Sequence, residues 1–266
     1  MNFTVPGLLV GLTSHVGGRA HNEDAARSGR LVFVVADGMG GHAAGEVASG
    51  IAAETLLELD ARTVLHPRDV VAQVEEANRR VLASAAHHPE QTGMGTTVAG
   101  LALVHLGRSP HWAVFNHGDS RVYRLLEGRL RQVTVDHSEV WELVQRGELT
   151  VEQARHHPGR NVVTRTLGRD PMAPLDTWLF PPYAGERFLI CSDGLSNELT
   201  TEELEHILTR LEDAQQTADE LVRCAVTRGA RDNVTAIVVA LPGEESGLEE
   251  DTTPREQVDR GAGSQG

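Results

Sequence analysis

The segment Arg30–His42 reads RLVFVVADGMGGH and carries the clearest structural signal in the chain. Its apolar part, Arg30–Ala36, is typical of a β-strand that is buried on both faces. The strand ends at Asp37-Gly38, where a carboxylate stands beside a glycine that lets other backbone approach closely. We therefore expect a rigid buried strand that presents an oxygen ligand at its carboxyl end.

Elsewhere in the chain, acidic residues also stand at strand ends beside glycine or asparagine. Each one alone is best explained as a turn or a cap, because Asp-Gly and Asp-Asn are common turn pairs. Several of them in one acidic chain favour a site for a hard divalent cation such as Mg²⁺ or Mn²⁺, which prefers oxygen ligands. The candidates are Asn22-Glu23-Asp24, Gly118-Asp119, Asp193-Gly194 and Asp232-Asn233.

The order of the predicted elements indicates the fold class. Two strands precede two helices, a block of strands follows, and two more helices precede a last strand. Strands grouped in this way predict antiparallel sheets with helices outside them, an α+β sandwich. The predicted strands are Leu8–Val16, Arg30–Ala36, Thr96–Val104, His111–Asn116, Arg121–Leu126, Arg129–Thr134, Val162–Leu167, Arg187–Ser192 and Val234–Leu241. The predicted helices are Gly45–Leu59, Arg68–Ala86, Glu139–Arg146, Glu202–Leu211 and Ala214–Arg228.

Composition and charge exclude several classes of function. The chain has 266 residues, and its 38 acidic side chains outnumber 24 basic ones, all arginine, for a formal net charge of −14. This balance argues against nucleic-acid or anionic-membrane partners, which are bound by basic clusters. The absence of lysine excludes Schiff-base chemistry. Cys191 and Cys224 are too few for a disulfide framework, and no apolar run reaches the ~20 residues of a membrane helix, so we expect a cytoplasmic protein.

Seven segments between about Gly11 and Leu241 form an ordered set. They are RAHNED (Arg19–Asp24), ADGMGGHAAGEVAS (Ala36–Ser49), GMGTT (Gly93–Thr97), HGDSRVY (His117–Tyr123), RNVVTRTLG (Arg160–Gly168), CSDGLS (Cys191–Ser196) and RDNVTAIVV (Arg231–Val239). In this order the set resembles the motifs of the metal-dependent PP2C-type (PPM) serine/threonine protein phosphatases, and it is most similar to the bacterial subgroup. Any one motif is weakly specific, whereas seven in the family's order are highly specific.

The resemblance implies both a fold and a metal site. The fold is a four-layer α-β-β-α sandwich of two antiparallel sheets flanked by helices. The cofactors are two Mn²⁺ or Mg²⁺ ions, with a third ion in some bacterial relatives. Asp37 matches the carboxylate that bridges two ions, and Gly38 matches a residue that offers its carbonyl oxygen. The other matching positions are Asp193 and Asp232 at the first ion, Glu23 and Asp24 beside the second, directly or through water, and Asp119 at the third.

The chemistry implied by the resemblance is direct hydrolysis of a phosphate ester. A hydroxide that bridges two divalent ions attacks phosphorus, so no phospho-enzyme forms. Arg19 matches the arginine that binds the substrate phosphate, a role that suits the bidentate guanidinium group. The alternative for Arg19 is a surface ion pair with Glu23 or Asp24.

The general acid is left open by the sequence. Met39 stands directly after Asp37-Gly38, where animal relatives have a general-acid histidine, and His42 follows three residues later. His42 can either protonate the leaving alkoxide or only hydrogen-bond within its loop. Cys191 lies in an apolar strand and is expected to pack in the core. Gly93–Thr97 is expected to turn into the sheet, because it precedes a strand and fits a phosphate cradle poorly.

The expected domain organisation is a single catalytic unit with an insertion and a tail. Residues 1–242 match the phosphatase domain, and residues 136–160 look like the flap of bacterial relatives, which lies near the catalytic face. Residues 243–266 contain seven acidic and two arginine residues and almost no apolar ones. Such a composition is typical of disorder.

We therefore expect a protein phosphatase that hydrolyses phosphoserine and phosphothreonine. Its partners would be phosphorylated proteins, chiefly substrates of Ser/Thr kinases, and it would be a monomer. One alternative is an inactive binding or regulatory module with the same fold, although no metal-site aspartate is missing. The other is a phosphatase dedicated to one regulator, such as a phosphorylated anti-sigma-factor antagonist.

Overall fold

The computed structural model describes residues 7–40 and 44–243, and two antiparallel β-sheets form its centre. The strands are β1 (Leu9–His15), β2 (Asp24–Ser28), β3 (Val32–Met39), β4 (Gly95–Thr96), β5 (Val98–Leu106), β6 (Ser109–His117), β7 (Arg121–Leu126), β8 (Arg129–Gln132), β9 (Asp176–Phe180), β10 (Arg187–Cys191) and β11 (Val234–Ala240). The first sheet has the order β1-β11-β10-β7-β8, and the second has the order β2-β3-β5-β6-β9, with β4 paired to β3. The antiparallel arrangement expected from the grouping of the strands is confirmed.

Helices lie in the connections between strands, and several of them cover the outer faces of the sheets. They are α1 (Ala44–Leu57), α2 (Pro67–His87), α3 (Glu139–Gln145), α4 (Val151–Arg155), α5 (Asp193–Ser196), α6 (Thr201–Arg210) and α7 (Ala214–Thr227), with 3₁₀ turns at Glu58–Ala61 and Pro89–Gln91. Helix α1 packs on β3 and on α2, whereas α7 packs on β1 and β11 and α6 packs on β8. The predicted four-layer sandwich is therefore confirmed. Within the described ranges, no helix is long and apolar enough to cross a membrane.

Strand β11 shows how the sequence builds both interior layers. Its side chains alternate between the two faces of the first sheet, as the pleat requires. Ile237 and Val239 join the core between the sheets, whereas Ala236 and Val238 pack in the layer between the sheet and the helices α6 and α7. Both faces are buried, which explains why this strand is apolar at nearly every position.

The differences from the predicted elements lie at sheet edges and surface connections. The strand expected at Val162–Leu167 is wrong: the segment makes only the isolated bridges Thr96–Leu167 and Ser138–Val163. Val162 is 48% exposed, so the apolar run crosses the surface without a continuous partner. Strands β2 and β9 were not expected. Both are edge strands of the second sheet, and their partly exposed side chains lack a clear apolar alternation.

The Glu127-Gly128 pair forms the turn of a hairpin between β7 and β8. Both residues have positive φ angles, 51° at Glu127 and 73° at Gly128. Two successive left-handed residues match the right-handed twist of the strands that they connect, and glycine adopts that conformation without strain.

Candidate metal centre

Strand pairing brings the acidic residues to one end of the sandwich. Asp24 stands opposite Asp37 in the antiparallel pair β2–β3. Strands β10 and β11 are also antiparallel neighbours, so Asp193, just after β10, and Asp232, just before β11, lie at the same edge. Asp119 lies in the connection between β6 and β7, and β7 pairs with β10. The topology therefore gathers residues that are distant in sequence.

The backbone around Asp37 is held by two threonines. The Asp37 N–H donates to Thr97 Oγ1 at 3.0 Å, and its carbonyl oxygen accepts from Thr97 N at 2.9 Å and from Thr96 Oγ1 at 2.9 Å. These threonines belong to the GMGTT segment, which leads into the sheet through β4 as the sequence predicted. The segment thus fixes the position of the carboxylate at the end of β3.

Gly38 is required by close backbone approach. Its N–H donates to the carbonyl oxygen of Glu23 at 3.1 Å. A Cβ atom at this position would lie 2.1 Å from the carbonyl oxygen of Gly45 and 2.6 Å from that of Glu23. Both neighbours are backbone atoms, so any side chain here would have to displace α1 or the loop before β2.

Burial and mutual repulsion raise the pKa values of the clustered carboxyl groups. Desolvation is the largest cause at each of them, and the charges of neighbouring carboxylates also raise each pKa. The pKa of Asp24 is raised to about 7, with added repulsion from Asp193 and Asp232. The pKa values of Asp37 and Asp119 are raised well above the usual value, and that of Asp193 is also raised. Ionised carboxylates in this cluster are therefore unfavourable unless a cation neutralises them or they bind protons.

Two oxygen atoms in the cluster have no hydrogen-bond partner among the described residues. They are Oδ1 of Asp24 and Oδ1 of Asp193, and both are buried. The second oxygen of Asp24 accepts from Ser192 Oγ at 2.8 Å, and that of Asp193 accepts from Asn197 Nδ2 at 3.1 Å. Unpaired buried carboxylate oxygens are costly, and a hard cation satisfies them. The donor chemistry therefore fits Mn²⁺ or Mg²⁺.

The carboxylates are near one another but are not drawn around a common point. Within residues 7–40 and 44–243, no three His, Cys, Asp or Glu side chains converge as a ready-made metal site. The ligand set Asp37, Gly38, Asp193, Asp232, Asp119, Glu23 and Asp24 therefore stays a prediction. His42, the candidate general acid, lies outside the described residues.

Arg19 faces the carboxylate cluster from the loop between β1 and β2. Its Nη2 atom lies 2.7 Å from Oδ2 of Asp232, and its side chain is 55% exposed. The ion pair that the sequence analysis considered, with Glu23 or Asp24, is not the one in the structure. The partner is one of the predicted metal ligands, and the pairing raises the pKa of Arg19.

The Protein phosphatase 2C family profile matches residues 13–238. The chain belongs to this family. It is 34% identical over 232 residues to the serine/threonine phosphatase stp of Listeria welshimeri, covering 83% of this chain and 90% of that protein. It is 37% identical over 231 residues to the serine/threonine protein phosphatase PstP of Mycobacterium tuberculosis, covering 83% of this chain and 42% of that protein.

Solved structures agree with this membership in the PP2C family. The crystal structure of the Mycobacterium tuberculosis phosphatase PstP/Ppp matches with a TM-score of 0.80 at 35% identity, and the match covers 88% of this chain and 99% of that one. The catalytic domain of PstP in complex with two manganese ions matches with a TM-score of 0.78 at 33% identity, covering 89% of this chain and 100% of that one. The relative therefore binds two metal ions on a closely similar scaffold.

Asn233, which follows the candidate ligand Asp232, holds together the backbone around the predicted metal site. Its Nδ2 atom donates to the carbonyl oxygens of Val16 and His21, both at 2.9 Å, and its Oδ1 atom accepts from Glu23 N at 2.8 Å. One amide thus holds both ends of the loop that carries Arg19. The only sequence signal was its place beside Asp232 in the RDNVT motif.

Cys191 is not a candidate nucleophile. Its thiol is fully buried in the layer between the first sheet and the helices, as the sequence predicted. Burial raises the pKa of the thiol to about 12, so it stays protonated and is a poor nucleophile at neutral pH.

The raised pKa of Asp24 predicts how metal-free stability depends on pH. A carboxyl group that binds its proton more tightly in the folded state stabilises at low pH and loses that contribution as pH rises, here between about pH 4 and about pH 7. The metal-free wild type should therefore lose stability relative to Asp24→Asn across this window. Melting temperatures of both proteins in EDTA, measured at several pH values, check this.

The melting temperature of the wild type is compared with that of Asp24→Asn because buried histidines change the stability with pH in the opposite direction. Burial lowers the pKa of His117 to about 4 and lowers that of His137, so both favour the folded state more as pH rises. Both histidines are present in the variant as well, and their contribution cancels. A difference in melting temperature that does not change with pH would contradict the buried, protonated state of Asp24.

Proposed function

We propose that this protein is a metal-dependent protein serine/threonine phosphatase that hydrolyses phosphoserine and phosphothreonine esters. The observation that carries the proposal is the cluster of carboxyl groups with raised pKa values at one end of the sandwich, beside an arginine. Such a cluster repels a phosphate dianion when it is ionised and alone, but it becomes a phosphate site once cations neutralise it. The names of the relatives as serine/threonine phosphatases support the same activity.

In this proposal the residues divide into three groups. Asp37, Gly38, Asp193 and Asp232 would hold the first ion, with Asp37 shared by the second, and Glu23 and Asp24 would lie beside the second. Asp119 would serve a third ion. When bound, such ions supply an activated water and neutralise charge on the phosphate.

Arg19 is proposed to bind the substrate phosphate. Its guanidinium is partly exposed and already lies at the edge of the cluster through Asp232. If Asp232 binds a cation, the cation shares the negative charge that Asp232 offers to Arg19. Guanidinium donors of Arg19 then become available to a phosphate oxygen. Arginine suits this role because its planar donors match two oxygens at once. His42 keeps both proposed roles, general acid or hydrogen-bonding loop residue.

The substrates are phosphorylated proteins. The action on substrates of Ser/Thr kinases, the cytoplasmic location and the monomeric state remain predictions from the sequence. The extent of the domain (1–242), the flap (136–160) and the tail (243–266) also stay predictions, and most of the tail lies outside the described residues. A phosphatase dedicated to one regulator remains the alternative within the same chemistry.

Activity with Mn²⁺ and its loss on chelation test the proposal. The purified protein should hydrolyse p-nitrophenyl phosphate and a phosphothreonine peptide with Mn²⁺ present, and excess EDTA should abolish both activities. Restoring Mn²⁺ should restore them. Hydrolysis that persists in EDTA would contradict the metal-dependent mechanism, and Mn²⁺ binding without hydrolysis would favour the inactive module.

The range of substrates separates a general phosphatase from a dedicated one. Lysate phosphoproteins incubated with the wild type, and with Asp193→Ala as the matched inactive control, should lose phosphate at many sites. Loss confined to one regulator would favour the dedicated enzyme.

A further inference from the structure

His137 lies outside the loop that carries Asp119 and hydrogen-bonds to the residue that begins this loop. It lies at the base of the flap, just before α3, and is only 5% exposed. Its backbone N–H donates to the carbonyl oxygen of Gly118 at 2.9 Å, and its ring Nδ1 accepts from the N–H of Gly118 at 3.0 Å. One histidine thus satisfies both backbone groups of the residue directly before Asp119.

The contact with Gly118 fixes the tautomer of His137. A ring nitrogen that accepts from a backbone N–H carries no proton, so the proton of the neutral ring must be on Nε2. Nε2 lies 3.1 Å from Oδ2 of Asp176, which accepts that proton in a hydrogen bond. The other oxygen of Asp176 accepts from Arg165 Nη1 at 3.1 Å. A carboxylate anchored by an arginine therefore orients the imidazole toward Gly118.

Gly118 in turn packs against the residue that supports Asp37. A Cβ atom on Gly118 would lie only 2.5 Å from Cβ of Thr97, and its φ of 134° lies in a region that other residues rarely adopt. Thr97 Oγ1 accepts from the N–H of Asp37 and also pairs with Ser120 Oγ at 2.8 Å. A shift of Gly118 would therefore move both Asp119 and the support of Asp37.

The start of the flap, at Asp136, also binds the residue that ends the Asp119 loop. Asp136, next to His137, binds the Arg121 guanidinium through both carboxylate oxygens, with Nη2 to Oδ2 at 2.6 Å and Nε to Oδ1 at 2.9 Å. Arg121 begins β7, directly after the loop. The connection 118–121 is consequently fastened at its start by His137 and at its end by Asp136.

We propose that His137 is a positioning residue that, through Gly118, fixes the two backbone segments carrying Asp119 and Asp37. This inference rests on the proposed phosphatase function for its kinetic consequence, but its structural part concerns only residues of this chain. Among the described residues, His137 makes no hydrogen bond to a predicted ligand side chain; it reaches the Asp119 loop through Gly118 and through an edge-on contact with the ring of His117, 6.0 Å between centroids.

Two substitutions separate the two contacts of the ring. His137→Asn keeps an amide oxygen near the position of Nδ1, so it can still accept from Gly118 but loses Asp176. His137→Gln reaches toward Asp176 and loses the acceptor for Gly118. His66→Gln is the matched control, because the ring of His66 also bonds to backbone, at His105, but far from this loop.

Expected kinetics follow from the lost contact. His137→Gln should lower kcat at saturating Mn²⁺ by about tenfold or more, the usual effect of losing a residue that orients a metal ligand. The KM for a phosphopeptide should stay near the wild-type value, because His137 is buried and presents little surface to a substrate. His137→Asn should lose far less, and His66→Gln should match the wild type. Equal losses in the Asn and Gln variants would overturn the proposal.

A measurement on metal-free protein tests the positioning directly. In the wild type, ¹⁵N NMR of the imidazole should report the Nε2–H tautomer, and the Gly118 amide should exchange slowly with solvent. In His137→Gln that amide should exchange about tenfold faster, the factor expected for one lost hydrogen bond. The Nδ1–H tautomer, or unchanged Gly118 protection in the variant, would overturn the proposal.

The kinetics and the measurements on metal-free protein test separate statements. If the wild type shows no Mn²⁺-dependent hydrolysis, the proposed function fails, whereas the tautomer and the amide exchange still decide the role of His137. If His137→Gln does not fold, the tautomer and Gly118 protection in the wild type and in His137→Asn decide it instead.

Discussion

Replacing Asp37 by asparagine should lower phosphatase turnover by about a thousandfold, because a shared metal ligand contributes several kcal/mol of transition-state stabilisation. Asparagine has the same shape, and the backbone bonds of Asp37 to Thr96 and Thr97 do not involve the side chain. The substitution therefore removes one charge and leaves the end of β3 in place. Steady-state kinetics with p-nitrophenyl phosphate over a range of Mn²⁺ concentrations measure the loss.

The same substitution should make the metal-free protein at least as stable as the wild type. The pKa of Asp37 is raised by its burial and then by the charges of Asp24, Asp193 and Asp119, so the ionised side chain is unfavourable in the folded state. Asparagine removes that repulsion. Melting in EDTA should show an unchanged or higher melting temperature, whereas the stabilisation by added Mn²⁺ should shrink.

Asp219→Asn is the matched control for this experiment. Asp219 lies on the exposed face of α7 and accepts from Thr13 Oγ1 at 2.6 Å, away from the cluster. It should keep wild-type turnover and wild-type Mn²⁺ stabilisation. Turnover of Asp37→Asn within a few-fold of wild type, or a lower melting temperature in EDTA, would refute the proposed role of Asp37.

The fold was accessible from the sequence because its central elements carry strong local patterns. The part of β3 before Asp37 is apolar throughout and β11 is apolar at nearly every position, and α6 begins at a capping box in which Thr200 and Glu203 satisfy each other's backbone. Edge strands carry no such pattern. Strand β2 reads DAARS and owes its conformation to the neighbouring β3 rather than to its own residues.

The site was only partly accessible for a related reason. Motifs at strand ends indicated which carboxylates would meet, but not which polar partners each would choose. Arg19 and Asp232 are 213 positions apart, and nothing local in either segment favours that pair over Glu23, four residues from Arg19. The hydrogen bonds between His137 and Gly118 likewise depend on how the start of the flap packs against the sheet.

A buried ion pair that sequence reasoning did not find leads to the largest expected effect on stability. Glu186 is fully buried before β10, at the end of that strand away from the carboxylate cluster. It accepts from Trp112 Nε1 and from Arg124 Nε, both at 2.7 Å, and from Tyr183 N at 2.8 Å. Trp112 belongs to the second sheet and Arg124 to the first, so one carboxylate joins the two.

Glu186→Leu should lower the free energy of unfolding by about 3–5 kcal/mol, because breaking a buried pair leaves an uncompensated charge. The Arg124 guanidinium would remain between the rings of Phe180 and Phe188, 4.9 and 5.8 Å from their centroids, without its counter-charge. Chemical denaturation at a fixed Mn²⁺ concentration measures the loss. Turnover of the folded fraction should not change, since no cluster residue is touched.

A double variant distinguishes the buried charge from lost packing. Adding Arg124→Met to Glu186→Leu removes the uncompensated charge and should recover much of the lost stability, as replacing both partners by apolar groups often does. The exposed pair of Arg27 and Glu54, 2.6 Å apart, supplies the matched control, and Glu54→Gln should cost no more than about 1 kcal/mol. If the double variant is as unstable as Glu186→Leu, the loss arises from the missing bonds to Trp112 and Tyr183, and the carboxylate acts as a hydrogen-bond acceptor between the sheets rather than as a counter-ion.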